Sequence, residues 1–471
     1  MKKFLSATAF YILFFSAIGG LFYGGVLSLS DVVFAQSRNE LLLFDGESFT
    51  SSRAMSLEGV RPASVAVVDL GKDGLKELII GAYAGNDPRV WLLRNDGSVL
   101  NSFEAYPTTM RGGVKVAVAD FDGDTKPEIV TIPASDGHPQ VKIFNSFGKE
   151  VRSFYAFDKQ QFGEYAIAVA NIQGDAKPEI IVSTGRGFMP AIAVFDAKGK
   201  RISMKVDFSL LNVSGLLVAP IDLGGDGTSE LIIANRVDEK GMVHLVRGDG
   251  TEVASFSVFV SSESGIVSIG TEDVVGDEKE EMLVLITGEK DQRMKILNGF
   301  GELQQAYQLA GITSDMAQDF IYTSLKGVVF PELIVYDSAV PKPVTGKQGQ
   351  LMEVSITDQR LRYYDDGFQI ASVMVSTGKP STPTPIGEFK IENKYRRPYS
   401  RLAKLYMPYW MAYKIPAWGF HELPEWPNGA KEGADHLGKR VSGGCIRLPV
   451  GAAEALWNWA DIGTQVKITK E

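Results

Sequence analysis

The stretch AVADFDGDTKPEIVTIP, residues 117–133, joins an apolar run, an Asp-rich turn, a glutamate and a second apolar run. The same shape stands at residues 66–82 (AVVDLGKDGLKELIIGA), 168–184 (AVANIQGDAKPEIIVST) and 219–235 (APIDLGGDGTSELIIAN). The turns open at Asp69, Asp120, Asn171, Asp222 and Asp273, each 51 positions after the one before. At the ninth position of each comes Glu77, Glu128, Glu179, Glu230 or Glu281. An unslipping period of this length, with about four short strands per copy, marks small sheets that cannot bury both faces alone and must stack on one another.

A sixth, degraded copy opens at Ser324; its Glu332 and the run to Tyr336 keep register, but its second half is missing. In full copies that half is a strand, a turn and a strand, as in VWLLRNDGSVLNSFEAY at residues 90–106, and stepping back 51 positions from Val90 lands on Asn39, where NELLLFDGESFTSSRAM has the same shape. The expected architecture is therefore mainly β: a six-bladed β-propeller over residues 39–336, its closing blade sewn from residues 39–55 and 311–336. An open solenoid would need two polar caps, and a copy split between the two ends of the region is better explained by closure.

The Asp-rich turn followed by Glu-Leu-Ile-Ile or Glu-Ile-Val resembles the FG-GAP (integrin-like) repeat family, whose turns often hold calcium. Here Asp120, Asp122, Asp124 and Glu128 put carboxylates at positions one, three, five and nine, a spacing that wraps hard oxygen ligands around such an ion. The other copies carry Gly, Gln or Val at position three, and Asx turns by themselves account for Asp there. A docking role for the propeller, toward a protein or glycan ligand, is an expectation from fold alone.

Composition sets the outer bounds. The chain has 471 residues, 45% hydrophobic and 22% charged, enough for two or three cored domains. Lys and Arg number 48 against 57 Asp and Glu, a net charge of -9, the wrong sign for a phosphate-backbone binder, so nucleic acid is excluded as an expected partner. The 49 glycines and 21 prolines, spread along the chain, point to turns and strands. One cysteine rules out an internal disulfide, and with four histidines it falls short of a structural zinc cage. After Lys2 and Lys3 no charge appears until Asp31; the 27 residues between are apolar enough for an N-terminal hydrophobic export helix. Val33-Phe34-Ala35 also satisfies the small-residue cleavage rule. Residues 1–35 thus read either as a membrane anchor or as a signal peptide removed on secretion. Both put the remainder in the extracytoplasmic cell envelope.

Residues 337–348, with two prolines and no apolar period, read as a linker. A second, mostly β domain of about 120 residues follows over 349–469, large enough to fold by itself; only residues 452–459 have a helical pattern. The lone cysteine, Cys445, sits in VSGGCIRL at residues 441–448. A nucleophilic thiolate needs a base and donors for the oxyanion its attack creates. The backbone N–H groups of Gly443, Gly444 and Cys445 are candidates for the donors. His421 and His436, lying 24 and 9 residues upstream, are candidates for the base. A buried inert cysteine is the bland alternative. His138 and His244 lie in different repeats and are expected to be ordinary surface or strand residues.

Three segments, VSTGKPSTPTPIGEF (375–389), GFHE (419–422) and HLGKRVSGGCIRL (436–448), resemble the YkuD family of L,D-transpeptidases. The resemblance implies Cys445 as nucleophile and His421 as base, with Ser442, Gly443, Gly444 and Arg447 around oxyanion and substrate. A surface ion pair is an equal reading of Arg447. Two departures stand out. The family often has Ser-His-Gly-Cys where this chain has Ser442-Gly443-Gly444-Cys445, and residues 423–435 look inserted, which leaves His436 as an alternative base. The implied reaction is peptidoglycan stem-peptide transfer: acyl-thioester formation, release of D-Ala, then cross-linking between diamino acid residues. No cofactor is required. L,D-carboxypeptidase activity and a non-catalytic wall-binding or adhesion protein are the alternatives.

Overall fold

Each repeat folds as its own four-stranded antiparallel sheet. In the first, Pro62–Val68, Glu77–Ala82, Arg89–Leu93 and Val99–Glu104 lie side by side. The run ELIIGA is apolar on both faces because its strand is covered on both: Leu78, Ile79 and Ile80 are fully buried. The last strand, with Val99 and Leu100 exposed, is the rim. Three more sheets repeat the order, their second strands being Glu128–Pro133, Glu179–Thr184 and Glu230–Asn235, and a fifth is built around Glu281–Thr287.

The sixth sheet takes its strands from far-apart parts of the chain. Glu40–Asp45 pairs with Ser51–Ser56 on one side and with Glu332–Tyr336 on the other, Leu42 opposite Val335 and Phe44 opposite Leu333. Asp319–Thr323 completes it. The first strand of each sheet lies beside the first strand of the next: Pro62–Val68, Val114–Ala119, Tyr165–Ala170, Leu216–Ile221, Ser264–Glu272, then Asp319–Thr323, which returns to Pro62–Val68. Among the described residues no sheet closes on itself.

This computed structural model describes residues 40–45, 51–57, 61–202, 204, 215–235, 241–259, 264–274, 277–287, 291–313, 319–323, 332–336, 349–365 and 368–470. The expected export helix at 1–35 and the linker at 337–348 lie outside them. Among the described residues no helix is long and apolar enough to cross a membrane.

The C-terminal region is built on two sheets. One has the order Phe368–Met374, Arg360–Asp365, Leu351–Ser355, Gln465–Thr469, Gly387–Lys390; the other runs Asn393–Tyr395, Trp410–Lys414, Trp418–Glu422, Ile446–Leu448. The helix Ala452–Trp459, the one α-helix among the described residues, presents Ala452, Ala453, Ala455 and Leu456 to the core they share. One member of that core comes from the repeat region: Phe188, 2% exposed.

Candidate active site

In the repeat region the expected calcium set divides. Asp120, Asp122 and Asp124 bring one carboxylate oxygen each within 4.8 Å of the others, an arrangement able to hold a cation. Glu128 lies outside that group, its Oε2 accepting the N–H of Phe121 at 3.0 Å. The same clamp recurs at Glu77 to Leu70, Glu179 to Ile172 and Glu281 to Val274, at 2.8–2.9 Å. Each copy needs the glutamate to satisfy a turn N–H that the strands leave behind. The opening Asp does similar work, Asp120 accepting from Gly123 and Thr125, and Asp222 from Gly225 and Gly227. His138 is exposed and edges against Phe162, while His244 is buried in a strand facing Glu252 at 3.6 Å.

In the C-terminal region the three motif segments meet. Trp418–Glu422 and Ile446–Leu448 pair in parallel, His421 opposite Arg447. Cys445 precedes the second strand by one residue, and a two-residue step from Arg447 returns to the same face. The thiol, the guanidinium and the imidazole therefore share one side of the ladder. Segment 375–389 runs along the other edge of the cysteine turn. Ser376 exchanges backbone hydrogen bonds with Arg447, Ser442 N–H donates to Thr377, and Thr384 Oγ1 donates to Gly444 O at 2.8 Å.

Ser442 is the turn's internal brace. Its Oγ donates to Cys445 O at 2.6 Å and accepts from Gly444 N–H at 3.1 Å. This corrects the expectation for Gly444, whose N–H is committed to Ser442. Among the described residues the N–H groups of Gly443 and Cys445 have no protein acceptor, so they are the donors left for an oxyanion.

His421 is buried, with Trp410 stacked parallel to its ring at 5.9 Å. Its Nδ1 lies 2.5 Å from Glu422 O. A carbonyl only accepts, so Nδ1 carries the proton and Nε2 is the basic nitrogen. Burial holds the imidazole down to about 4, Arg447 adding to the effect and the Glu422 carbonyl opposing it. Burial also pushes the Cys445 thiol up, only partly offset by the Gly419 backbone and Arg447, and Sγ–H donates to Ala417 O at 3.4 Å. Low polarity penalises both charged forms and favours the neutral thiol beside the neutral imidazole.

Arg447 makes no surface ion pair among the described residues. Half-buried, it donates to His436 Nδ1 at 3.1 Å. His436, in the short 3-10 turn Ala434–His436, is thereby set against Arg447. Residues 423–435 are tied down by a network that sequence reading missed. Lys431 Nζ reaches Glu422 Oε1 at 2.6 Å and Glu425 Oε2 at 2.9 Å, Arg397 pairs with Glu425, and Glu422 Oε2 accepts Gly451 N–H at 3.1 Å. Also missed were Thr384, Trp410 and the Glu422 carbonyl. Thr384 and Glu422 lay inside motifs already singled out, and Trp410 stands in the aromatic-rich run at residues 406–413.

Comparison with known proteins places two family models on the chain: an L,D-transpeptidase catalytic domain over residues 349–468 and an FG-GAP-like repeat over residues 74–131. A putative L,D-transpeptidase YkuD from Bacillus licheniformis is 29% identical over 116 residues, 25% of this chain and 63% of that protein. Among solved structures, an L,D-transpeptidase from Stackebrandtia nassauensis is 26% identical, covering 26% of this chain and 57% of that one, with a TM-score of 0.22. One from Mycobacterium smegmatis is 19% identical, covering 32% and 77%, with a TM-score of 0.24. The chain thus spans less than two thirds of the Bacillus and Stackebrandtia proteins.

Proposed function

We infer that this chain, which carries an L,D-transpeptidase catalytic domain at its C-terminus and FG-GAP-like repeat sequence before it, is a cysteine-dependent acyltransferase acting on peptidoglycan stem peptides. The observation that carries the reading is the chain's one thiol and a buried, carbonyl-oriented imidazole on one face of paired parallel strands. The resting pair is neutral, so the proton moves only as the bond forms. Cys445 Sγ attacks the amide carbonyl before the terminal D-Ala while its proton passes to His421 Nε2. Negative charge on the carbonyl oxygen falls to the N–H groups of Gly443 and Cys445. The C–N bond breaks, the imidazolium gives its proton to the departing amine, and a thioester remains. An amine of a second stem then attacks, again losing its proton to His421, and the cross-link forms as the thiol is restored.

The six successive sheets are read as blades of a propeller, supported by the return of Asp319–Thr323 to Pro62–Val68, and the propeller as the docking module. Calcium at Asp120, Asp122 and Asp124 is a reading supported by their convergence; a Tm rise on adding calcium, abolished by Asp122→Asn, tests it. The uncharged stretch before Asp31 supports an extracytoplasmic place in the envelope.

The deciding experiment incubates the chain with a carbapenem and with muropeptides. A mass adduct on Cys445, absent in Cys445→Ala, together with D-Ala release and a cross-linked product, is the expected result. D-Ala release without cross-linking favours the carboxypeptidase, and neither adduct nor release favours the wall-binding protein.

A further inference from the structure

The repeat region reaches into the support of the candidate base. Phe188, on the turn after strand Glu179–Thr184, leaves its own sheet and joins the C-terminal core with Tyr363, Ala371, Val373 and Ala452. The approach is close enough to dictate glycines on both sides. A Cβ at Gly187, where φ is +87°, would stand 2.8 Å from Val373, and one at Gly451, where φ is +80°, would stand 2.8 Å from Gln161 Nε2 and 3.4 Å from Phe188. Tyr165 stacks behind Phe188 at 6.2 Å, an ion pair joins Asp136 to Arg360 at the rim, and Asn458 donates to Met189 Sδ at 3.3 Å.

Gly451 is where this contact meets the chemistry. It caps the helix Ala452–Trp459, and its N–H holds Glu422 Oε2. The backbone carbonyl of the same Glu422 orients His421. We propose that Phe188 is a positioning residue: seated against Gly451, it fixes Glu422 and so holds the His421 ring in the tautomer that leaves Nε2 free to take the Cys445 proton. The repeat region is then part of the active site's scaffold. This rests on reading His421 as the base.

The chain's single thiol gives a clean probe, since iodoacetamide can alkylate no other cysteine. In the full chain, His421→Gln slows alkylation of Cys445. Phe188→Ala slows it about 10- to 100-fold, the scale of a base displaced by roughly an ångström. Histidine-ring 15N shifts of His421 move from the pure Nδ1–H tautomer toward a mixture, and Phe188→Leu, refilling the seat, restores both readouts. Asp136→Asn, which loosens the same seam from its rim, gives a smaller change of the same sign where Phe188→Ala does not fold. Wild-type alkylation rate and tautomer in a folded Phe188→Ala chain overturn the proposal, as does a wild-type rate that ignores His421→Gln. A His421-dependent thiol that forms no carbapenem adduct removes the transferase reading while leaving the positioning role supported.

Discussion

Gly443 and Gly444 are neighbours under different constraints. Gly444 adopts φ +118°, and a Cβ there would lie 2.9 Å from Trp418 Nε1; around Gly443 nothing lies within 4 Å of that point. Gly444→Ala is expected to cost about 1–3 kcal/mol in urea unfolding, whereas Gly443→His stays within about 0.5 kcal/mol of the parent. The glycine in place of the family's frequent histidine is thus an open position rather than a packing requirement. His421 supplies a pH signature. With its folded value near 4 against an ordinary 6.5, the native chain holds fewer protons than the unfolded one between them. Stability is therefore full above about pH 6.5 and is lost as pH falls toward 4, by on the order of 3 kcal/mol. Urea midpoints across this range should show the loss in the parent and a shallower slope in His421→Gln.

At the scale of elements, the repeated glutamate works as a clamp. Glu179, 3% exposed, accepts the N–H of Ile172 at the head of the turn. Glu179→Ala strands that donor in the interior, with an expected loss of about 1–3 kcal/mol by thermal or urea unfolding. The parallel ladder of the C-terminal region has its own brace: Glu422 turns its side chain to Lys431 and Gly451 while its carbonyl faces His421. One residue thereby links the loop at 423–435, the helix cap and the His421 ring, because successive side chains on a strand point to opposite faces.

For the whole molecule, the sixth sheet depends on strands contributed from outside the run of full repeats. Glu332–Tyr336 is covered on one side by Glu40–Asp45 and on the other by Asp319–Thr323. Deleting residues 40–57 uncovers a strand edge rich in Leu, Ile and Val. Light scattering should then show self-association that the parent lacks. The core of the C-terminal region likewise takes one side chain from the repeat region, Phe188.

The chain's own order of residues was enough for the repeats, the split sheet and the pairing of the segments that carry Cys445 and His421, because a strict 51-residue period and three dense motifs are local patterns that survive without coordinates. The two glycine N–H groups of the cysteine turn look alike in sequence until that of Gly444 is seen to donate to Ser442 Oγ. The neutral resting state of thiol and imidazole, the Glu422–Lys431 brace and the seat of Phe188 beside Gly451 were decided only by the tertiary structure. Burial and contacts across hundreds of residues set each of them, and neither quantity is written in any local window of sequence.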